Sequence, residues 1–114
     1  MLIAVAEEST FIRLVGNSPL SKVLDFLLTS REFDYSKKEL ADNSEISYNT
    51  LNTIWSQLLA NEIIVKTRRI GKQDMFRLNT ENHLVNELIH FYDALLKQSI
   101  EQHTKLVRQL SSNR

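Results

Sequence analysis

The sequence predicts a mainly α-helical chain with a small β-hairpin and a long C-terminal helix. Three observations carry that prediction. Residues 47–61 form an amphipathic segment with a polar, almost uncharged outer face; residues 63–78 read as a β-branched strand, a turn and a return strand; and an apolar stripe at helical spacing runs from about residue 81 to 110.

With 114 residues the chain is long enough for one domain with one core. An apolar share of 42% against 25% charged residues fits a folded protein rather than a disordered one. Absence of cysteine excludes disulfides, thiolate nucleophiles and cysteine-based metal sites. The start, MLIAVAEES, has no basic leader and reaches Glu7 too soon for a signal peptide, and no run reaches membrane-spanning length. A cytoplasmic protein without membrane association is expected. Fourteen basic residues balance fourteen acidic ones, which argues against indiscriminate coating of nucleic acid but leaves room for a specific binder whose cations are gathered in one place.

Residues 1–10 show no period and are expected to form a loose leader. Phe11–Val15 alternates apolar and polar residues and is expected as a short strand closed by Gly16-Asn17. Ser18-Pro19 pairs an N-cap with a proline at the first helical position, so a helix should run over about Pro19–Ser30, burying Leu20, Val23, Leu24, Leu27 and Leu28. Ser36-Lys37-Lys38-Glu39 matches a capping box and opens a short helix to Asn43 with Leu40 and Ala41 inward. Asn43-Ser44-Glu45 is turn chemistry, and Ile46 plugs the gap before the next helix.

That next helix is capped by Ser47 and expected to end at a left-handed Asn61. Leu51, Ile54, Trp55 and Leu58 make its apolar stripe, while Tyr48, Asn49, Asn52, Thr53, Ser56 and Gln57 lie on the other face without one carboxylate. An ordinary surface helix carries Glu and Lys there. A helix that enters a DNA groove must keep carboxylates from phosphates and offer amides and hydroxyls to base edges. Ile63–Ile70 then reads as a strand, Gly71–Asp74 as a turn and Met75–Leu78 as the return strand. The order of helix, capped short helix, turn, polar-faced helix and basic hairpin is a winged helix-turn-helix.

The segment Ser47-x-x-Thr50-Leu51-Asn52-x-x-Trp55-x-x-Leu58, followed by Ile63-Ile64-Val65, resembles the recognition-helix pattern of winged helix-turn-helix transcriptional regulators of the broad ArsR/MarR-like group. The stretch from Leu14-Val15-Gly16-Asn17-Ser18-Pro19 through Arg31-Glu32-Phe33-Asp34-Tyr35-Ser36 is similar to small archaeal winged-helix regulators. The resemblance covers about residues 11–80 and implies double-stranded DNA as partner. Two departures stand out: Asn61-Glu62 replaces the glycine common between helix and wing, and the recognition helix has no Arg or Lys.

Arginine reading of guanine is therefore unavailable from that helix, whereas Asn49, Asn52 and Gln57 suit adenine, and Thr53 or Tyr48 suits a thymine methyl. An A·T-leaning site follows, with Ser47, Tyr48, Asn49, Asn52, Thr53, Ser56 and Gln57 as the candidate reading surface. Positive charge gathers in the hairpin, where Lys66, Arg68, Arg69, Lys72 and Arg77 face only Asp74. With Lys37 and Lys38 these are the candidate phosphate contacts. Trp55, spaced four and three residues from Leu51 and Leu58, is expected in the core rather than on a base.

His83 and His90 lie two turns apart, about 10 Å along a helix, too far to share one ion. Glu87 and His90 have a di-iron spacing but lack the second motif. No metal, cofactor or catalytic group is expected: two glycines make no phosphate loop and no nucleophile has a histidine partner. The last helix carries more apolar surface than one small core can cover. Leu88, Tyr92, Leu96, Ile100, Val107 and Leu110 are therefore expected to form a homodimer interface, the alternative being that the helix folds back over its own core, with Ser99 and His103 interrupting any regular zipper and Ser111–Arg114 fraying.

Residues 1–80 are expected as the DNA-binding winged unit and 81–114 as its dimerisation helix, in one folding unit. The expected function is a homodimeric, sequence-specific regulator acting as a repressor by occupying an operator. A winged-helix module for protein contacts, or a DNA-binding protein of plasmid or viral replication or partition, are the alternatives.

Overall fold

The computed structural model describes residues 8–112; of the leader expected over residues 1–10, residues 1–7 lie outside that range. The elements are α1 (Thr10–Val15), α2 (Pro19–Thr29), β1 (Tyr35–Ser36), α3 (Lys37–Asn43), α4 (Tyr48–Ala60), β2 (Ile64–Ile70), β3 (Gln73–Leu78) and α5 (His83–Ser112). The three strands form an antiparallel sheet in the order β1-β3-β2. This is a winged helix-turn-helix with a long C-terminal helix.

The strand expected at Phe11–Val15 is a helix instead. Ser9 caps it by accepting from the Ile12 amide at 3.1 Å, and the consecutive residues Phe11 and Ile12 are both buried, which the alternation of a half-buried strand would not allow. Phe11 packs on Phe91 and Tyr92, with ring centres 6.4 and 5.6 Å apart. The sheet is also larger than the expected hairpin: Tyr35 and Ser36 pair with Phe76 and Met75. The hairpin turn is tighter, because Gln73 and Asp74 already belong to β3 and only Gly71 and Lys72 lie between the strands. Gly71 has φ of 60°, the left-handed start that a two-residue hairpin needs.

Both helices of the helix-turn-helix end in the same device. In α3 the Ile46 amide reaches back to the Ala41 carbonyl at 3.1 Å and the Glu45 amide to Asp42 at 3.2 Å; in α4 the Ile63 amide reaches Leu58 and the Glu62 amide reaches Leu59, each at 3.0 Å. These are Schellman endings, and the left-handed residues are Glu45 (φ 59°) and Glu62 (φ 52°). Asn61, expected in that role, has φ of −90° and uses its side-chain amide on the Gln57 carbonyl. The left-handed position falls one residue later because Ile63, not Glu62, is the apolar residue that closes onto Leu58.

The core runs through Val23, Leu27, Leu28, Leu40, Leu51, Leu58, Leu78 and Val85, all fully buried. The first half of α5 covers it. Asn82 starts that helix by accepting from the Leu84 amide at 2.9 Å, while its Nδ2 donates to the carbonyls of Asn61 and Glu62. Arg31 holds Asp93 through two guanidinium bonds of 2.8 and 3.2 Å.

Tyr92, expected at a dimer interface, belongs to the chain's own core. It is 4% exposed, and its hydroxyl meets Thr29 and Asp25. Leu88 is likewise half-buried against that core. From Ile100 to Ser111 every residue is exposed. A helix of about 45 Å thus projects well past the globular part, and the molecule measures 61 × 33 × 23 Å.

Candidate nucleic-acid interface

The capping box predicted at Ser36 is present in both directions: Ser36 Oγ accepts from the Glu39 amide at 3.1 Å, and Glu39 Oε1 accepts from the Ser36 amide at 2.8 Å. This fixes the first turn of α3 and with it Lys37 and Lys38. Ser47 in turn caps α4, accepting from the Thr50 amide at 3.0 Å and donating to Thr50 Oγ1 at 2.8 Å. Its hydroxyl is thus engaged by the helix end itself.

On α4, Leu51 and Leu58 are buried, Ile54 and Trp55 half-buried, and Asn49, Asn52, Thr53, Ser56 and Gln57 exposed. Thr53 Oγ1 donates to the Thr50 carbonyl at 2.6 Å, so its hydroxyl is engaged by the helix backbone. The side chains of Asn49, Asn52, Ser56 and Gln57 make no hydrogen bond among the described residues. Four uncommitted polar groups on one helix face are available to a ligand. Their solvent-exposed alternatives would ordinarily be ionic.

Trp55 is not sealed in the core. It stands at the junction of three elements: its ring meets Phe76 of β3 edge-on at 4.9 Å and 88°, and Lys37 Nζ of α3 lies 4.8 Å above it. The same ammonium is 5.3 Å from the Tyr48 ring. Two aromatic faces therefore hold Lys37 in place by cation–π attraction. Lys37, Lys38, Tyr48 and Trp55 line one wall of a cleft of about 340 Å³, and Lys72, Gln73 and Asp74 of the wing line the other.

The wing cations are less free than their count suggests. Arg68 is locked to Asp34, in the connector before β1, by bonds from Nε at 2.9 Å and Nη2 at 3.1 Å, and Thr67 also donates to that carboxylate. Thr67 sits where the register between β2 and β3 slips, so the extra residue of this bulge is what reaches back to Asp34. Lys66 and Arg69 both approach Asp74 Oδ1, at 3.2 and 3.5 Å. Lys72 occupies the hairpin tip without a partner among the described residues, and Arg77 is half-buried with its Nε unbonded. Asp34 could not be found from local sequence, because its partners lie 33 and 34 positions away.

The Arg68 hydrogen bonds, followed by that of Thr67, pull the Asp34 carboxyl from 3.8 to about 2. Since the folded state has the lower value, this contribution to stability is complete above the unfolded value and is lost as pH falls through about 2. Asp34→Asn is expected to lower stability at neutral pH and to flatten the stability curve between about pH 4 and 2. Denaturant titration over that range checks it; an unchanged acid limb would show that the pair does not hold the wing.

No known family model matches the sequence, and no curated protein is significantly similar to it. Solved structures do share its fold. MepR, a transcription regulator of the Staphylococcus aureus multidrug efflux pump MepA, aligns over 90% of this chain and 84% of its own, with TM-score 0.56 and 14% identity. MepR in complex with DNA aligns over 81% of this chain and 76% of its own, with TM-score 0.53 and 15% identity. A MarR-family transcriptional regulator from Silicibacter pomeroyi gives 82% and 62%, with TM-score 0.50 and 17% identity. At such low identity the likeness is one of architecture, and by architecture this chain is a winged helix-turn-helix protein.

Proposed function

We propose that the protein is a double-stranded DNA-binding transcriptional regulator that works as a homodimer and represses by occupying an operator. One observation carries the reading: α4 presents Asn49, Asn52, Ser56 and Gln57 as an exposed, acid-free and internally unbonded row beside a cationic wing. In this reading α4 enters the major groove, its amides favour adenine, and Lys37, Lys38 and Lys72 hold the phosphates on either side. That a MepR structure contains DNA adds support from the fold alone.

The second copy is drawn by the outer half of α5. Leu96, Ile100, Val107 and Leu110 recur on one face and are 41, 66, 47 and 63% exposed. A twofold pair would place two α4 helices about 34 Å apart, on successive major grooves of an inverted repeat.

Fluorescence anisotropy with A·T-rich and G·C-only duplexes at two salt concentrations tests the reading. Retention of the A·T-rich duplex at the higher salt is expected; equal binding to both would remove the adenine-reading role of α4. Lys72→Ala is expected to weaken every duplex alike and to reduce the salt slope by about one. Loss of discrimination in that variant would instead make the wing tip a base reader. A winged-helix module for protein contacts is the second reading, favoured by zero net charge and by the internally paired wing. Absence of DNA binding at low salt would select it.

A further inference from the structure

Asp74 is a carboxylate in the wall of the cleft that also holds Lys37, Lys38 and Lys72. Its Oδ1 is shielded from solvent and lies 3.2 Å from Lys66 Nζ and 3.5 Å from Arg69 Nη1, yet forms no directed hydrogen bond with either. The contrast with Asp34 is direct, for there two guanidinium nitrogens and a hydroxyl converge in bonding geometry. The wing thus has one arginine fixed as structure and two cations that Asp74 holds by charge alone, Arg69 having besides only a long bond of 3.4 Å from its Nε to the Gly71 carbonyl.

We propose that Asp74 is an internal competitor for the DNA backbone. It holds Lys66 and Arg69 in the place of a phosphate until a phosphodiester passing between α4 and the wing takes them over. The inference rests on the DNA-binding reading above. Lys66 and Arg69 are more than half exposed, and pairs of that kind contribute little to stability, so their exchange for a phosphate is cheap. Lys37 differs, since its two aromatic neighbours hold it in position without neutralising it. A phosphate entering the cleft meets the pre-placed Lys37, with Lys38 and Lys72 beside it, and one fixed negative charge. Asp74 therefore lowers affinity for all sequences equally and makes binding more dependent on groove contacts. That bears directly on an α4 with no cation of its own: with affinity held down, the amide contacts of α4 decide which sites are occupied.

Asp74→Asn keeps the side-chain shape and removes the charge. It is expected to bind A·T-rich and G·C-only duplexes about three- to tenfold more tightly at 0.1 M salt, and to steepen the salt slope by about one, for the single negative charge removed. Lys66→Gln should then cost more affinity in the Asp74→Asn background than alone, because only there is Lys66 free in the unbound protein. Unchanged or weaker binding by Asp74→Asn, with unmodified protein still binding, would overturn the proposal and make Asp74 a brace of the wing. Asp74→Ser gives the same decision from a shorter side chain if the asparagine variant fails to fold. Failure of the unmodified protein to bind any duplex at low salt would remove the DNA reading itself, and the proposal with it.

Discussion

Ile100→Glu combined with Val107→Glu is expected to yield a folded monomer whose affinity for a two-half-site duplex falls by about a hundredfold or more. Both positions lie on the outer, exposed part of α5, 66 and 47% exposed. Surface changes of this sort cost the isolated protomer no more than about 0.5 kcal/mol. An isolated helix is marginal in water, so in the proposed dimer the projecting segment would gain order by pairing its apolar stripe with that of the second copy. Two glutamates on that stripe place like charges opposite one another across the twofold and put ionised groups where an apolar contact is needed.

The loss of affinity follows from linkage rather than from any contact with DNA. In a dimer the second half-site is bound intramolecularly, and its advantage of about 10² to 10⁴ disappears with the tether. A single half-site should be bound equally by both forms. Sedimentation equilibrium with anisotropy on one- and two-site duplexes separates the effects. Unmodified protein that sediments as a monomer at micromolar concentration would overturn the dimer; a double variant that remains dimeric would move the interface off this stripe.

Elements marked by local chemistry were legible in the sequence. Ser18-Pro19, the Ser36–Glu39 capping box and the Ser47 cap each act within one helical turn, and each is found where the residues place it. Period alone did less well over short spans: five residues at Phe11–Val15 fit a strand or a helix, and burial of adjacent Phe11 and Ile12 against α5 decided for the helix. Tyr92 lies in the core rather than at an interface because the stripe on α5 is continuous in sequence but not in its surroundings. The inner half faces the chain's own core and the outer half does not. Wing charge could be counted but not its pairing, since Asp34 reaches Arg68 only once the sheet has formed.

Trp55→Ala is expected to cost about 2–4 kcal/mol of stability, a large part of the 5–15 kcal/mol typical of a small domain. The estimate sits below the range for a fully buried tryptophan because this ring is half-buried. Its functional consequence exceeds that of a Leu58 truncation of similar cost. Trp55 joins α4 to the wing through Phe76 and to α3 through Lys37, so its removal loosens the angle between wing and helix and unseats the pre-placed cation together. An edge-to-face aromatic pair adds about 0.5–1.5 kcal/mol beyond area burial, so Trp55→Phe should recover most of the stability and the wing's position. It should recover less of the seat for Lys37, since the indole attracts a cation more strongly than a phenyl ring does. Urea unfolding followed by circular dichroism measures the first effect, because the alanine variant lacks the chain's single tryptophan. DNA affinity measured where all variants are folded gives the second, expected as a uniform loss over all sequences. A Trp55→Ala protein within 0.5 kcal/mol of the unmodified one would show that the ring is a passenger at this junction. Lys37 and the wing would then be positioned by the capping box and the Asp34–Arg68 pair alone.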